Sequence, residues 1–493
     1  MTFPIWLPFA NEWLTFWFLL IFILGIVGLS EQINKSGLIP QESNRRLIHF
    51  FIGVFISFSP LVFFSNIQPA CLAFIFTILN FYTLKKDVFQ GIHSQKNKTY
   101  GTVYFPLAYL LIVIAFWSYP RFIIISLLIL TISDPLAAHV GSSTDNPLSF
   151  TIWEDHKSLQ GTITFFSSSL ILIYISSQIL FNYSNIFLFG MALFTAIGAT
   201  IAEATSKHGT DNLSIPIISI IFMIGYVHRF TGSKQFFDLT ITEFSILLLI
   251  IILLLLLAYK LKSLSRSGYF GSLIMGIIIM LIGSWQFLVP LAVFFIFSSF
   301  ISKITKSNSF YRTKGSQRDI IQVYANGGIS LILCIYNFIN PSSINLLLFY
   351  ASVSAAMADT WATEIGKLSK NKPISILDLK EIQHGLSGGI TRIGIIGSLL
   401  GSCLIGFTVW IIHPMPSFII YGIIFCGFLG AIFDSILGAT IQAKYETQKG
   451  EIIEKPIKDA ILISGNPWIN NDMVNLFNTA FSPLIMYIFL RII

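Results

Sequence analysis

Asp359 and Glu364 lie in "SAAMADTWATEIGK" (354–367), at the end of a run that is otherwise apolar. An Asp near the middle of a membrane helix costs roughly 2.5–3.5 kcal/mol on insertion scales, so acids kept in such runs are functional candidates. Asp134 ends another apolar run, "SDPLAAHVGS" (133–142), and Asp134, Ala137 and Gly141 repeat the spacing of Asp359, Ala362 and Gly366. Around these two lines the chain gathers groups suited to phosphate chemistry. The first half supplies Arg45, Arg46 and His49 in "NRRLIHF" (44–50) and Lys157, Ser158, Gly161 and Thr162 in "DHKSLQGT" (155–162). Glu203, Lys207, Asp211 and Asn212 follow in "EATSKHGTDNLSIP" (203–216). The second half has "SRSGYFGS" (265–272), and Arg312, Lys314 and Arg318 in "FYRTKGSQRD" (310–319). Further on come Gly388, Gly389 and Arg392 in "QHGLSGGITR" (383–392), Asp434 in "FDSILGATIQ" (433–442), and Asn471, Asp472 and Asn475 in "NDMVN" (471–475).

Backbone N–H groups at a helix start, with a lysine beside them, suit a phosphate. Asp and Asn oxygens are hard ligands for Mg²⁺, which takes one or two carboxylates and completes its shell with substrate phosphates. Each half therefore has the makings of a metal–nucleotide site, and phosphoryl transfer asks mainly for positioning and charge neutralisation. Plainer roles exist for some of these residues. "NRRLIHF" also reads as a basic helix cap, Asp134 as a satisfied helix-end acid, and Glu203 with Lys207 as an i,i+4 ion pair. The rows Gly394, Gly397, Gly401 and Gly427, Gly430, Gly438 read as close helix packing. His384 and His413 read as loop residues.

The elements that must position these groups are membrane helices. The chain has 493 residues, 54% hydrophobic and 11% charged, against about 25% charged in soluble domains. The expected fold is an all-α polytopic membrane protein of about sixteen transmembrane helices, in two bundles of about eight. With the N-terminus outside and the loops alternating, all of the 30 Lys and Arg except Arg121, Arg229, Lys234 and Arg491 fall on one side. That asymmetry marks the cytoplasmic face and places both termini outside and every polar motif inside. It accounts for the net charge of +7 as topology, without a nucleic-acid partner. The expected location is the inner membrane of a bacterial cell. The run from Trp13 to Leu29 follows a start without Lys or Arg and reads as an uncleaved first helix. Cys71, Cys334, Cys403 and Cys426 all lie in apolar runs and form neither a disulfide framework nor a metal set. The polar break "HRFTGSKQFFDLT" (228–240) divides the chain into domains 1–235 and 236–493.

On "RRLIHF", the Asp134 line, "KSLQGT" and "EATSKHGTDNLSIP", the first half (about 40–228) resembles the phytol kinase and dolichol kinase family of CTP-using polyprenol kinases. It departs from that pattern at Gln160, where Glu is usual, at Ser133 and Pro135 beside the Asp, and at His139. On "SRSGYFGSLIMG", "ADTWATEIG", "SGGIT", "DSILGATIQ" and "NDMVN", the second half (about 240–493) resembles the phytyl-phosphate kinase family, which includes transmembrane protein 19. The resemblance implies two successive reactions. A prenyl alcohol such as phytol, geranylgeraniol or farnesol becomes the monophosphate, and the monophosphate becomes the diphosphate, with CTP as donor and Mg²⁺ as cofactor. On that basis Asp134 and Asp211 hold Mg²⁺, and Glu203 positions or deprotonates the alcohol. Arg45, Arg46, Lys157, Ser158, Gly161, Lys207 and Asn212 hold phosphate. In the second half Asp359 and Asp434 act on Mg²⁺, with Asp472 as an alternative, and Arg318, Gly388, Gly389 and Arg392 hold phosphate.

Two other classes fit parts of the pattern. An ion-coupled transporter also uses intramembrane acids and glycine-broken helices, but places them near the midplane, whereas these acids gather at helix ends. A CTP-dependent cytidylyltransferase making a CDP-lipid would release pyrophosphate where a kinase releases CDP.

Overall fold

A computed structural model describes residues 3–86, 99–231, 240–308, 317–448 and 450–492. Of the sequence features above, Lys234, most of the 228–240 break, Arg312 and Lys314 lie outside the described residues. The chain forms two compact units, Met1–Gly232 and Ser233–Ile493.

The first unit runs α1 (Glu12–Ser36), α2 (Gln41–Ser57), α3 (Ile67–Lys85), α4 (Gly101–Phe116), α5 (Pro120–Leu128) and α6 (Asp134–Ser143). A short antiparallel hairpin, β1 (Ser149–Thr151) and β2 (His156–Ser158), leads into α7 (Leu159–Leu180), α8 (Asn185–Ala204) and α9 (Asp211–Phe230). The second unit runs α10 (Ile241–Lys260), α11 (Arg266–Ile282), α12 (Trp285–Asn308), α13 (Ile320–Ile339) and α14 (Ser343–Gly366). There follow the antiparallel pair β3 (Ile374–Ser375) and β4 (Gly389–Ile390), then α15 (Arg392–Ile412) and α16 (Ser417–Thr440). A three-stranded sheet of β5 (Lys444–Glu446), β6 (Ile452–Ile453) and β7 (Ile461–Ser464) precedes α17 (Asn471–Ile492).

The protein is thus a predominantly helical membrane protein. Among the described residues twelve helices are long and apolar enough to cross a bilayer, α5 and α6 counting as one. This is fewer than the expectation of about sixteen spans, and the difference is α2, α4, α11 and α14. The first three have only 16 or 17 residues. α14 is long, but Asn345, its serines and Asp359 dilute its apolar character.

Packing follows membrane rules, in which small residues let backbones approach. α14 is buried almost continuously from Asn345 to Ala358. The Gly394, Gly397, Gly401 row of α15 lies against it: side chains there would strike the carbonyls of Ala362, Trp361 and Met357, all within 3.0 Å. From α16, Gly427 meets Ser354 and Gly430 meets Ala355. Asp359 is therefore carried on the helix that the rest of its unit wraps.

α5 passes into α6 through a π turn at Ile129–Ser133. Pro135 has no N–H to donate, and its ring would crowd the carbonyl one turn earlier. Widening the turn to i→i+5 is a known accommodation, and such turns recur at functional sites. α2 packs onto this segment at Gly53, where a side chain would overlap Thr131.

Candidate functional sites

In the first unit the helix ends converge. The starts of α2, α4, α7 and α9 and the ends of α3 and α8 surround Asp134, as alternating up-and-down helices require. β2 delivers Lys157 into this cluster. Its Nζ lies 2.7 Å from Glu203 Oε1 and 3.7 Å from Asp211 Oδ2. Burial opposes the lysine's charge, but the Glu203 and Asp211 carboxylates more than offset it and hold its pKa above the usual value. Asp134 interacts electrostatically with Asp211, Lys157, Glu203 and Arg45. Asp211 is fixed by Ser206 Oγ (3.3 Å), by the Asn212 N–H (3.0 Å) and by the Asn212 amide (3.1 Å). Glu203 is 6% exposed and its second oxygen has no hydrogen-bond partner among the described residues. Three carboxylates thus share one lysine, with the half-buried Arg45 alongside.

These groups line one end of a cavity of about 620 Å³. Arg45, Arg46, His49, Ser158, Gly161, Thr162 and Asn212 also face it, and an apolar stretch of Ile52, Ile56, Leu72, Ala73, Phe76 and Phe105 lines it as well. Lys207 is placed elsewhere. α8 stops at Ala204, so Lys207 forms no i,i+4 pair with Glu203; it pairs with Glu154 and lies over the Trp153 ring. Asp155, which accepts from the His208 N–H at 2.9 Å, ties the hairpin to the loop before α9 and also lines the cavity. The sequence analysis did not single out Asp155.

The second unit repeats the frame. In the first, Ser158 caps α7 by accepting from the Gly161 N–H at 3.1 Å, and Gly161 packs on the Ala137 carbonyl and on Gly141. In the second, Thr391 caps α15 by accepting from the Gly394 N–H at 3.0 Å, and Gly394 packs on the Ala362 carbonyl and on Gly366. The Asp-x-x-Ala-x-x-x-Gly echo is the helix side of this contact, and Ser/Thr-x-x-Gly is the other side. In both units the acid-bearing helix leads through a two-stranded hairpin to the capped helix.

The charges set in that frame differ. Asp434 interacts electrostatically with Asp359 and Glu454. Neither Asp359 nor Asp434 has an ion pair with a basic residue among the described residues. Asn475, with its amide turned to donate, reaches Asp434 Oδ2 at 3.3 Å. Ile390 stands before the cap, where the first unit has Lys157. Asp472 interacts electrostatically with Asp319 and Lys455. Glu364 is engaged by Thr305 (2.7 Å) and Lys367 (2.8 Å), with Arg318 nearby. Arg392 is exposed at the start of α15.

The Gly-rich turn is held from behind. Gly388 has φ +87° and touches Ala439 of α16, so both its conformation and its space require glycine. Glu454 accepts from the Ser387 N–H and from its hydroxyl, the latter at 2.9 Å. Gln442 donates to Ser387 Oγ at 3.0 Å, and Lys444 donates to the Ser387 carbonyl at 3.2 Å. Ser387, Lys444 and Glu454 were not identified as site residues from sequence; no local spacing joins partners 67 positions apart.

Among the described residues no three His, Cys, Asp or Glu side chains are arranged as a metal cage. The donor sets fit the other way of holding Mg²⁺, by one or two carboxylates plus phosphate oxygens. Asp134 with Asp211, and Asp359 with Asp434, supply such hard pairs.

The model of the family described as "Integral membrane protein DUF92" matches residues 249–482. An uncharacterized membrane protein of Methanocaldococcus jannaschii is 30% identical over 38% of this chain and 77% of its own length. Protein PGR of Arabidopsis thaliana is 27% identical, over 44% of this chain and 86% of its own. The phytol kinase of Synechocystis sp. is 26% identical, over 40% of this chain and 85% of its own. No solved structure matches the chain. The match of the family model and a 30% identical relative covered over most of its length lead to one assignment: the chain belongs to the DUF92 integral membrane protein family.

Proposed function

We propose that the protein is a bifunctional prenol kinase of the membrane, fusing a phytol kinase-like first unit to a phytyl-phosphate kinase-like second unit. The first unit converts a prenyl alcohol to its monophosphate, and the second converts that to the diphosphate, each with CTP as donor. The observation that carries the reading is the cavity of the first unit. Its lining joins a charged cluster of Arg45, Lys157, Asp134, Glu203 and Asp211 to an apolar stretch of Ile52, Ile56, Leu72, Ala73, Phe76 and Phe105. Such a shape suits an amphiphile whose polar head reacts and whose tail is hydrocarbon. The likeness to the Synechocystis phytol kinase supports it. The motif face is assigned to the cytoplasm, where CTP is found.

In the first step the alcohol oxygen forms a bond to the γ-phosphorus, the bond from that phosphorus to the CDP oxygen breaks, and the alcohol proton passes to a carboxylate. Glu203 keeps one oxygen on Lys157 and has its second without a hydrogen-bond partner among the described residues, which favours it as acceptor and leaves Asp134 for the metal. Lys157 and Arg45 face the transferred phosphoryl group. Bound Mg²⁺, held by Asp134 and Asp211, would neutralise nucleotide charge. In the second unit Asp359 and Asp434 take the corresponding place, and the turn at Gly388–Gly389 and Arg392 are assigned to phosphate. The test is incubation of the purified chain with γ-labelled CTP, Mg²⁺ and a panel of prenols. Labelled mono- and diphosphates are expected; absence of labelled lipid with both CTP and ATP would overturn the reading.

A further inference from the structure

The geometry points to a second part of the first-unit cavity, an apolar arm whose end wall of Ile56, Leu72 and Tyr109 selects the substrate by tail length. This rests on the kinase reading for the identity of the tail, but the arm itself is defined by the helices that build it.

Three helices line the cavity in the same order from its charged end. α2 presents Arg45 and His49, then Ile52, then Ile56. α4 presents Gly101, then Phe105, then Tyr109. α3 runs the other way, and its lining order is reversed: Asn80 lies at the charged end, with Phe76, Ala73 and Leu72 progressively further from it. Two cross-links fix this alignment. At the charged level Asn80 donates to the Thr102 carbonyl at 2.7 Å. At the far level Tyr109 donates to Ser59 Oγ, just beyond α2, at 2.6 Å. From Arg45 to Ile56, α2 rises about 16 Å, which sets the length of the arm.

The far end is closed by packed side chains. Tyr109 is 1% exposed and Leu72 is 2% exposed. The Ser59 hydrogen bond holds the Tyr109 ring in place, since a buried phenol left without its partner is disfavoured. The wall is therefore stiff. Apolar surface in the arm rewards each added methylene until the tail meets that wall, after which a longer tail must bend or displace a buried ring. Ala73 lies one residue from Leu72 on α3, and a larger side chain there would occupy the arm without touching the charged end.

The test compares geraniol, farnesol and geranylgeraniol on the full chain in detergent, read both as phosphorylation rate and as the shift in denaturation temperature that each prenol produces. Ala73→Phe is expected to lower the geranylgeraniol-to-geraniol rate ratio by about tenfold, with geraniol turnover retained. Phe76→Ala, which widens the arm, is expected to move the ratio the other way. The denaturation shifts should follow the same order, and they report tail binding even where no phosphate is transferred. Prenol stabilisation that changes with tail length as stated, without turnover, would support the arm and sink the kinase reading. Turnover and stabilisation whose dependence on tail length is the same in both variants as in the wild-type chain would overturn the arm and leave the kinase reading intact.

Discussion

The two sites share a scaffold and differ in how their negative charge is balanced. In the first unit Asp134, Glu203 and Asp211 gather around Lys157, so the protein brings its own cation. In the second, Asp359 and Asp434 face each other across a frame of the same design, with Ile390 before the cap. An uncompensated carboxylate pair in a buried setting is costly, and a bound divalent cation or the substrate complex relieves it. One frame thus supports a site that brings a cation of its own and a site whose carboxylates have none among the described residues.

The largest test of this contrast removes the lysine. Lys157→Met leaves Glu203 and Asp211 without their cation, and breaking a buried pair from one side costs about 3–5 kcal/mol. The loss is read as a fall in denaturation midpoint and is expected together with loss of the alcohol kinase step. The sign of its pH dependence follows from the raised Lys157 pKa. The stabilisation is present in full below the ordinary lysine value and is lost as pH rises through the folded value. Across the neutral range the difference between wild type and variant should therefore stay flat; a difference that disappears on going from acid to neutral pH would contradict the pairing.

Next come the acids. Asp134→Asn is expected to slow alcohol phosphorylation by about a hundredfold or more, with conversion of supplied monophosphate unchanged. Asp359→Asn should do the reverse, leaving monophosphate to accumulate. If either variant impairs both steps equally, the assignment of one reaction to each unit fails. A smaller effect is expected from Mg²⁺ titration. Because Lys157 competes with metal for the first-unit carboxylates, half-saturation of the second step should require about tenfold less Mg²⁺, equivalent to 1.4 kcal/mol. Equal requirements would remove the contrast. The smallest effect checks the shared frame: Ser158→Ala and Thr391→Ala should each cost about 1 kcal/mol of stability through loss of a helix cap. A cost at only one of them would mean that the caps are not equivalent.

Much of the frame was visible in the sequence. The repeated Asp, Ala and Gly spacing marks the helix side of the contact in both units, and the glycine row of α15 and Gly427 of α16 do pack closely against α14, whereas Gly438 packs on the turn at Ser387–Gly388. The rest depended on where helices stop and on which distant loops meet. Glu203 and Lys207 have helical spacing, but the helix ends between them and each finds a hairpin partner. The clamp on Gly388 joins Ser387 to Glu454 across two whole helices, α15 and α16, and the strands β4, β5 and β6. Leu72 and Tyr109 are ordinary apolar residues in the sequence; only the fold makes them an end wall.

The π turn before Asp134 has a consequence for how this chain can vary. Each residue of an α-helix turns the chain by about 100°. In the i→i+5 turn at Ile129–Ser133 five residues complete little more than one turn, so the window takes up one residue that a regular α-helix would have turned through that angle. A one-residue insertion or deletion in the regular helix of α5 would therefore swing Asp134 away from Lys157 and Asp211, whereas the same change inside this five-residue window would leave its direction nearly unchanged and act instead on the room that Pro135 needs.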